Sequence, residues 1–230
     1  MKKQQQESIF TRLFLIRHGR TEWNTGRMIQ GIVDTHLNKE GIQQVKALSQ
    51  RLINLYPIDL IYASPSSRAI KTAKLINEKY MVCLQTDPDL LEIDFGSLTN
   101  HSIDTLNIEQ PEYHQKFTHF ISTNREKATP RPDIPNGEKI THIEARIKSF
   151  TEKILTKHMG QHIAAVSHGG LIKCLIMYFS GGSLGNYIPY WIDNASLSII
   201  DFYGDLPIIR VINDTSHINQ PLRFVVPCVI

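Results

Sequence analysis

Three stretches of this chain, residues 13–16, 60–63 and 163–166, are apolar without interruption, and residues 81–84 form a fourth such run. A strand covered by helices on both faces shows a continuous apolar run, where a half-buried strand would alternate, so these four predict strands of a parallel sheet. Between them the apolar period changes to three and four. Asn38 reads as a helix N-cap followed by Ile42, Val45, Leu48, Leu52 and Leu55, with Pro57 as the stop. Ser64-Pro65-Ser66 offers caps and a first-turn proline for a second helix. Ile140, Ile143, Ile147, Phe150 and Ile154 predict a third helix, and Gly169-Gly170 open a fourth that runs to about Ser180 and ends at Gly181-Gly182. Residues 197–202 and 208–212 close the chain as two more strands.

Alternating strands and helices of this kind predict a three-layer α/β/α sandwich with a mostly parallel central sheet. Residues 1–11 read as a flexible polar tail and 12–230 as a single domain. The pattern weakens between Asp87 and Asn136, where five prolines and several histidines accompany one helix, around residues 109–121. The part from 97 to 136 reads as a lid inserted over that domain.

Composition narrows the function classes. The 230 residues are 41% hydrophobic and 20% charged, which fits a folded globular chain. Lys and Arg number 25 against 22 Asp and Glu, a formal charge of +3 that argues against a non-specific nucleic-acid binder. Cys83, Cys174 and Cys228 are widely spaced and outside any CxxC pattern, as expected for free, mostly buried thiols in a reducing compartment. The apolar run after Met1-Lys2-Lys3 is too short and too flanked by charge for a signal peptide. No uncharged apolar stretch approaches the ~18–20 residues a membrane span requires. The expectation is a cytoplasmic protein with no membrane partner.

The chemistry gathers where the strands end. Ligands of open α/β sheets bind beyond the carboxyl ends of strands. The first strand leads into Arg17-His18-Gly19-Arg20-Thr21-Glu22-Trp23-Asn24, the second into Ser64-Pro65-Ser66-Ser67-Arg68, the third toward Glu92-Ile93-Asp94, and the last buried one into Ser167-His168-Gly169-Gly170. Two arginines and two histidines at one edge suit a tetrahedral anion, because guanidinium forks match phosphate oxygens and keep their charge. A helix opening after His168 adds backbone N–H donors. No acidic cluster for Mg²⁺ and no GxxxxGK[ST] loop accompanies them, so histidine and arginine are left to supply nucleophile and positive charge. His158 and His162 lack a partner glutamate and read as surface histidines, and His101, His114, His119 and His142 show no ligand spacing. No metal and no cofactor is expected.

The run Arg17-His18-Gly19-Arg20-Thr21, with Asn24, Gln30-Gly31 and Asp34 behind it, resembles the N-terminal signature of the histidine phosphatase superfamily, which includes the cofactor-dependent phosphoglycerate mutases. Ala63-Ser64-Pro65 with Arg68, Glu92 with Phe95-Gly96, Asn136-Gly137-Glu138, Val166-Ser167-His168-Gly169-Gly170 and Asn194-Ala195-Ser196 follow in the family's order, so the similarity covers most of residues 13–202. The resemblance implies a phosphoglycerate mutase-like fold and a set of roles. His18 would be the nucleophile that becomes phosphohistidine. Arg17, Arg68 and His168 would hold the phosphoryl oxygens, with Gly31 and Gly169 lining the site and Asn24 and Gln30 donating at its edge. Glu92 would be general acid and then base, a role for which partial desolvation would raise its pKa, with Asp94 two residues on as its alternative.

The departures bear on substrate. Arg20 stands where many members carry Glu or Gln, adding a charge at the pocket mouth. Leu98-Thr99-Asn100 replaces the Trp-Glu-Gly usual in phosphatase-like members, and the Glu-Arg-His-Tyr-Gly run of the mutases is absent around Glu92. The leading expectation is a metal-independent phosphatase acting on a small-molecule phosphomonoester. The alternatives are a cofactor-dependent mutase and, from a different class, an inactive phosphate-binding interaction protein. Of oligomers, a homodimer is left open.

Overall fold

The computed structural model describes residues 10–123, 131–186 and 190–218. Its strands are β1 (Thr11–Arg17), β2 (Leu60–Ala63), β3 (Cys83–Thr86), β4 (His162–Ser167), β5 (Leu197–Tyr203) and β6 (Leu206–Asp214). They form one sheet in the order β3-β2-β4-β1-β5-β6. The first four in sequence run parallel, β5 is antiparallel to β1, and β6 is antiparallel to β5. The expected mostly parallel α/β sheet is present.

Side-chain alternation divides the core between the two faces of the sheet. Phe14, Ile16, Ile61, Ala164 and Val166 point to one face and meet Val45, Leu48 and Leu52 of α2 (Lys39–Leu55) and Ala69, Ala73 and Ile76 of α3 (Ser67–Tyr80). Leu13, Leu15, Tyr62, Ile163 and Ala165 point to the other and meet Ile147, Phe150 and Ile154 of the helix Ile140–Lys157 and Leu171, Ile172 and Leu175 of the helix Gly169–Phe179. Each fully buried Val, Leu, Ile or Phe among them contributes about 1.5–3 kcal/mol of transfer free energy. A short helix α1 (Glu22–Thr25) follows β1; α4 (Leu106–Glu109) and α5 (Pro111–Thr123) lie within residues 97–136, and the two helices over the second face are therefore α6 and α7. Leu98, Leu106, Tyr113, Phe117, Phe120 and Ile134 join the core under α6 and α7, so the described part of 97–136 is fastened to that face.

Four local expectations are corrected. The sheet begins at Thr11, which is buried, one residue inside the expected tail. The third strand starts at Cys83, not Met81, because Met81 takes a left-handed φ of 53° as the C-cap of α3, and the Asn77 side chain brackets Val82 with two hydrogen bonds of 2.9 Å. Pro65 precedes the N-cap Ser66 instead of occupying the first turn of α3; the start of α3 is held by Asp34, whose carboxylate accepts from Ser67 N at 2.8 Å and Ser67 Oγ at 2.5 Å. Cys83 is exposed, in contrast to the buried Cys174, whose thiol pKa burial pushes up to about 12. Cys228 lies outside the described residues.

Candidate active site

The register Arg17↔Ser167 and Ala63↔Val166 brings the carboxyl ends of β1, β4 and β2 level, so the loops leaving them begin side by side. His18 N donates to Ser167 O at 3.0 Å and fixes the first loop to the end of β4. The His18 and His168 rings then stand 5.2 Å apart at 62°. His18 Nδ1 lies 2.7 Å from the carbonyl oxygen of Gly19, an obligate acceptor. The ring proton therefore sits on Nδ1, and Nε2 keeps its lone pair. Burial, with the Arg17 and Arg68 charges behind it, lowers the His18 pKa well below its ordinary value, so the imidazole is neutral and nucleophilic.

Around it stand cations held by backbone carbonyls. Arg68 is 1% exposed; its Nη1 donates to Val33 O at 2.7 Å and its Nη2 to Gly31 O at 2.8 Å. Arg17 Nη1 donates to Ile192 O at 2.5 Å. His168, fully buried as the N-cap of α7, places Nε2 at 2.8 Å from Ser64 Oγ. Burial and the neighbouring His18 and arginines lower its pKa well below the imidazole norm too. Arg17 Nε, Arg68 Nε and His168 Nδ1 are buried and meet no hydrogen-bond acceptor. Buried donors without acceptors cost about 1–3 kcal/mol each, more when charged, and an anion beside His18 would satisfy both guanidinium Nε–H groups, and His168 Nδ1 in the tautomer that carries its proton there.

Glu92 completes the ring. Its Oε1 accepts from Ile93 N at 2.9 Å and Leu171 N at 3.0 Å, and its Oε2 from Gly170 N at 3.1 Å. The carboxylate thus caps the first turn of α7 from outside the helix. Arg17, His18, Arg68 and Glu92 line a cavity of about 560 Å³, several times the volume a phosphate group needs. Among the described residues, no group of three or more His, Cys, Asp or Glu could hold a metal ion, and no helix is long and apolar enough to cross a membrane.

The sequence pattern of the histidine phosphatase superfamily (branch 1) matches residues 13–215. This chain belongs to that superfamily. A protein named probable phosphoglycerate mutase GpmB, from Yersinia pestis (strain Pestoides F), is 31% identical to this histidine phosphatase over 215 residues, 91% of this chain and 95% of the relative. Among solved structures, Bacillus stearothermophilus YhfR superposes with a TM-score of 0.77 at 28% identity, over 90% of this chain and 98% of its own. A phosphoserine phosphatase mutant from Entamoeba histolytica, in complex with phosphoserine, does so with a TM-score of 0.75 at 29% identity, over 90% and 98%.

Within this histidine phosphatase, Arg17, His18, Asn24, Gln30, Arg68 and Glu92 line the cavity, as do Gly31, Gly169 and Arg20. His168 stands behind that wall. Asp94 is not on it, and its Oδ1 accepts from Gly96 N at 2.8 Å in a local turn, so of these two carboxylates Glu92 is the one on the cavity wall. Two expected edge contacts differ. Arg20 does not add a free charge at the mouth, because its Nη1 is held by both oxygens of Glu40 at 2.8 and 2.9 Å. Gln30 turns its amide into the loop, donating from Nε2 to Thr21 Oγ1 at 3.0 Å and accepting from Thr35 Oγ1 at 2.8 Å. Nor is His158 a plain surface histidine: its Nε2 is 2.9 Å from Tyr62 OH.

Sequence reasoning named Asn194 only within a motif, without a role, and missed two other wall residues. Asn194 Nδ2 reaches His18 O at 3.2 Å and Asn24 Oδ1 at 3.0 Å, tying the β1 loop to the segment before β5. Lys173 and Trp191 also line the cavity. The available signal for Lys173 was its place as the one charged residue of the helix GGLIKCLIMYF.

Proposed function

We propose that this histidine phosphatase is a metal-independent phosphomonoesterase that works through a phosphohistidine on His18. His18 Nε2 attacks phosphorus, the P–N bond forms as the bond to the leaving oxygen breaks, and Glu92 delivers a proton to that oxygen. Water, deprotonated by Glu92, then attacks the phosphohistidine; the P–N bond breaks and inorganic phosphate leaves. Arg17, Arg68 and His168 hold the non-bridging oxygens and stabilise the charge that builds on them. The observation that carries this reading is the pair of buried donors without acceptors, Arg17 Nε and Arg68 Nε, with the unpartnered Nδ1 of His168, beside a neutral His18 whose Nε2 is bare. The likeness to a phosphoserine phosphatase in complex with its substrate supports it.

Rapid quenching in base with a ³²P-labelled phosphomonoester tests the proposal. The expected result is an acid-labile labelled protein, with turnover unchanged by EDTA; label retained by a His18→Ala variant would overturn it. The 31% identity to a protein named as a mutase favours a second reading, transfer of the phosphoryl group back to a phosphoglycerate. Formation of 2-phosphoglycerate from 3-phosphoglycerate, dependent on 2,3-bisphosphoglycerate, would establish that reading, and phosphate release without isomerisation would exclude it.

A further inference from the structure

Five cationic side chains line the cavity: Arg17, Arg20, Arg27, Arg68 and Lys173. Four have acceptors already. Arg20 is answered by Glu40, Arg27 by Asp104 at 2.8 Å, Arg17 by Ile192 O, and Arg68 by Gly31 O and Val33 O. Arg17 and Arg68 also keep their Nε atoms for the phosphoryl group. Lys173 is different. Among the described residues its ammonium has no hydrogen-bond acceptor and no carboxylate within ion-pairing distance; it stands over the Trp191 ring, 5.7 Å from Nζ to centroid.

The two carboxylates on the cavity wall are engaged elsewhere. Glu92 accepts backbone N–H groups, and Asp193 accepts from Trp191 Nε1 at 2.8 Å and Asn213 Nδ2 at 2.9 Å. Burial and then the nearby Arg17 charge lower the Lys173 pKa, and the more distant pull of the Glu92 carboxylate does not offset them. Its position is set by the helix. Lys173 lies four residues beyond Gly169, about one turn or ~6 Å along α7. Helical side chains lean toward the N-terminus, so this one runs back toward the phosphoryl site.

We infer that Lys173 is a specificity residue, and that the substrate is a phosphomonoester whose body carries a carboxylate about one helical turn from the phosphate. This rests on the phosphatase reading above. A single ammonium is a point charge suited to a monoanion, whereas the phosphoryl site presents two guanidiniums, an imidazole and a helix N-terminus. The indole of Trp191, with Phe95 and Ile103, gives the cavity an apolar wall for the carbon skeleton between the two anions.

The test uses a matched pair, 3-phosphoglycerate and glycerol 3-phosphate, which differ by a carboxylate in place of a hydroxymethyl group. Calorimetric binding to the His18→Ala protein, which is unable to form the phosphohistidine, reads the ratio of their Kd values. The carboxylate should tighten binding about 10- to 100-fold, the range for a hydrogen bond to a charged group. Lys173→Met in that background should bring the ratio close to one, and Lys173→Arg should keep most of it. A ratio near one with Lys173 present, a ratio that survives Lys173→Met, or no binding of either ligand overturns the inference. With His18 intact, absence of phosphate release from every ester would overturn hydrolysis alone, because the binding ratio is read without turnover.

Discussion

Glu92 and Gly170 are in contact across 78 residues of chain: Glu92 Oε2 accepts the Gly170 N–H at 3.1 Å, and a Cβ on Gly170 would stand 2.6 Å from Glu92 Oε1. The glycine is required there by close approach, since its backbone is ordinary helix. Gly170→Ala would push the carboxylate away while improving helix propensity by up to ~1 kcal/mol. The two effects separate in measurement. Thermal stability should change little, while kcat falls about 10- to 100-fold, the scale of a catalytic group displaced by an ångström. A variant with unchanged kcat would show that the position of Glu92 is immaterial to the reaction.

The proton-transfer role of Glu92 has a signature that a purely structural role lacks. Glu92→Gln keeps the shape of the side chain and removes its acid. For alkyl phosphates, whose leaving oxygen must be protonated, kcat should drop about 10²–10⁴-fold. For p-nitrophenyl phosphate, whose leaving group departs as a stable anion, the loss in phosphoenzyme formation should be much smaller. Equal losses on the two substrate types in single-turnover experiments would assign Glu92 to positioning the start of α7.

Arg68 is placed by a loop and not by its own helix. Gly31 O and Val33 O grip its guanidinium, and Asp34, one residue further on, is bonded to Ser67 next to it. Asp34→Ala removes an acceptor at the start of α3 and should cost about 1 kcal/mol, within the usual span for a lost helix cap. It also loosens the loop that carries the two carbonyls. We expect a rise in KM for phosphomonoesters that lowers kcat/KM about tenfold, or 1.4 kcal/mol. Urea midpoints and initial rates read the two effects separately; a loss of stability with KM unchanged would mean that Arg68 keeps its place unaided.

Much of this arrangement was legible in the sequence because the sheet obeys local rules. Uninterrupted runs such as residues 13–16 and 163–166 have one good solution, a strand between two layers, and the residues after such strands necessarily meet at one edge. Arg17, His18, Arg68 and His168 were found that way. What local rules do not carry is the partner of a side chain. Arg20 looked like a free charge because Glu40, which neutralises it, lies 20 positions away on another element. Glu92 looked desolvated because its three backbone donors come partly from α7. Met81 is apolar enough for a strand, yet a left-handed cap geometry claims it. Lys173 hid inside a helix whose other side chains are core.

The two site histidines should make stability depend on pH in a defined direction. Both have folded-state pKa values well below the ordinary 6.5, through burial first and then neighbouring positive charge. In the unfolded chain they titrate near 6.5, so below that pH unfolding takes up protons. Their contribution is fully present above pH 6.5 and is lost as pH falls toward the folded values, with a slope of up to about 2.7 kcal/mol per pH unit for the two together. His217, whose pKa burial also lowers, adds to the same window, whereas the carboxylate of Asp214, held at about 2 beside Arg51, acts only at more acid pH. Comparison with a His18→Asn, His168→Asn protein isolates the pair. Urea unfolding between pH 7.5 and 5 should show the stability of the wild type falling steeply below 6.5 and that of the double variant falling by about 2 kcal/mol less over the last unit. Parallel curves for the two proteins would mean that the two imidazoles take up protons in the folded and unfolded chain alike, so that neither burial nor the neighbouring arginines hold His18 and His168 neutral below pH 6.5.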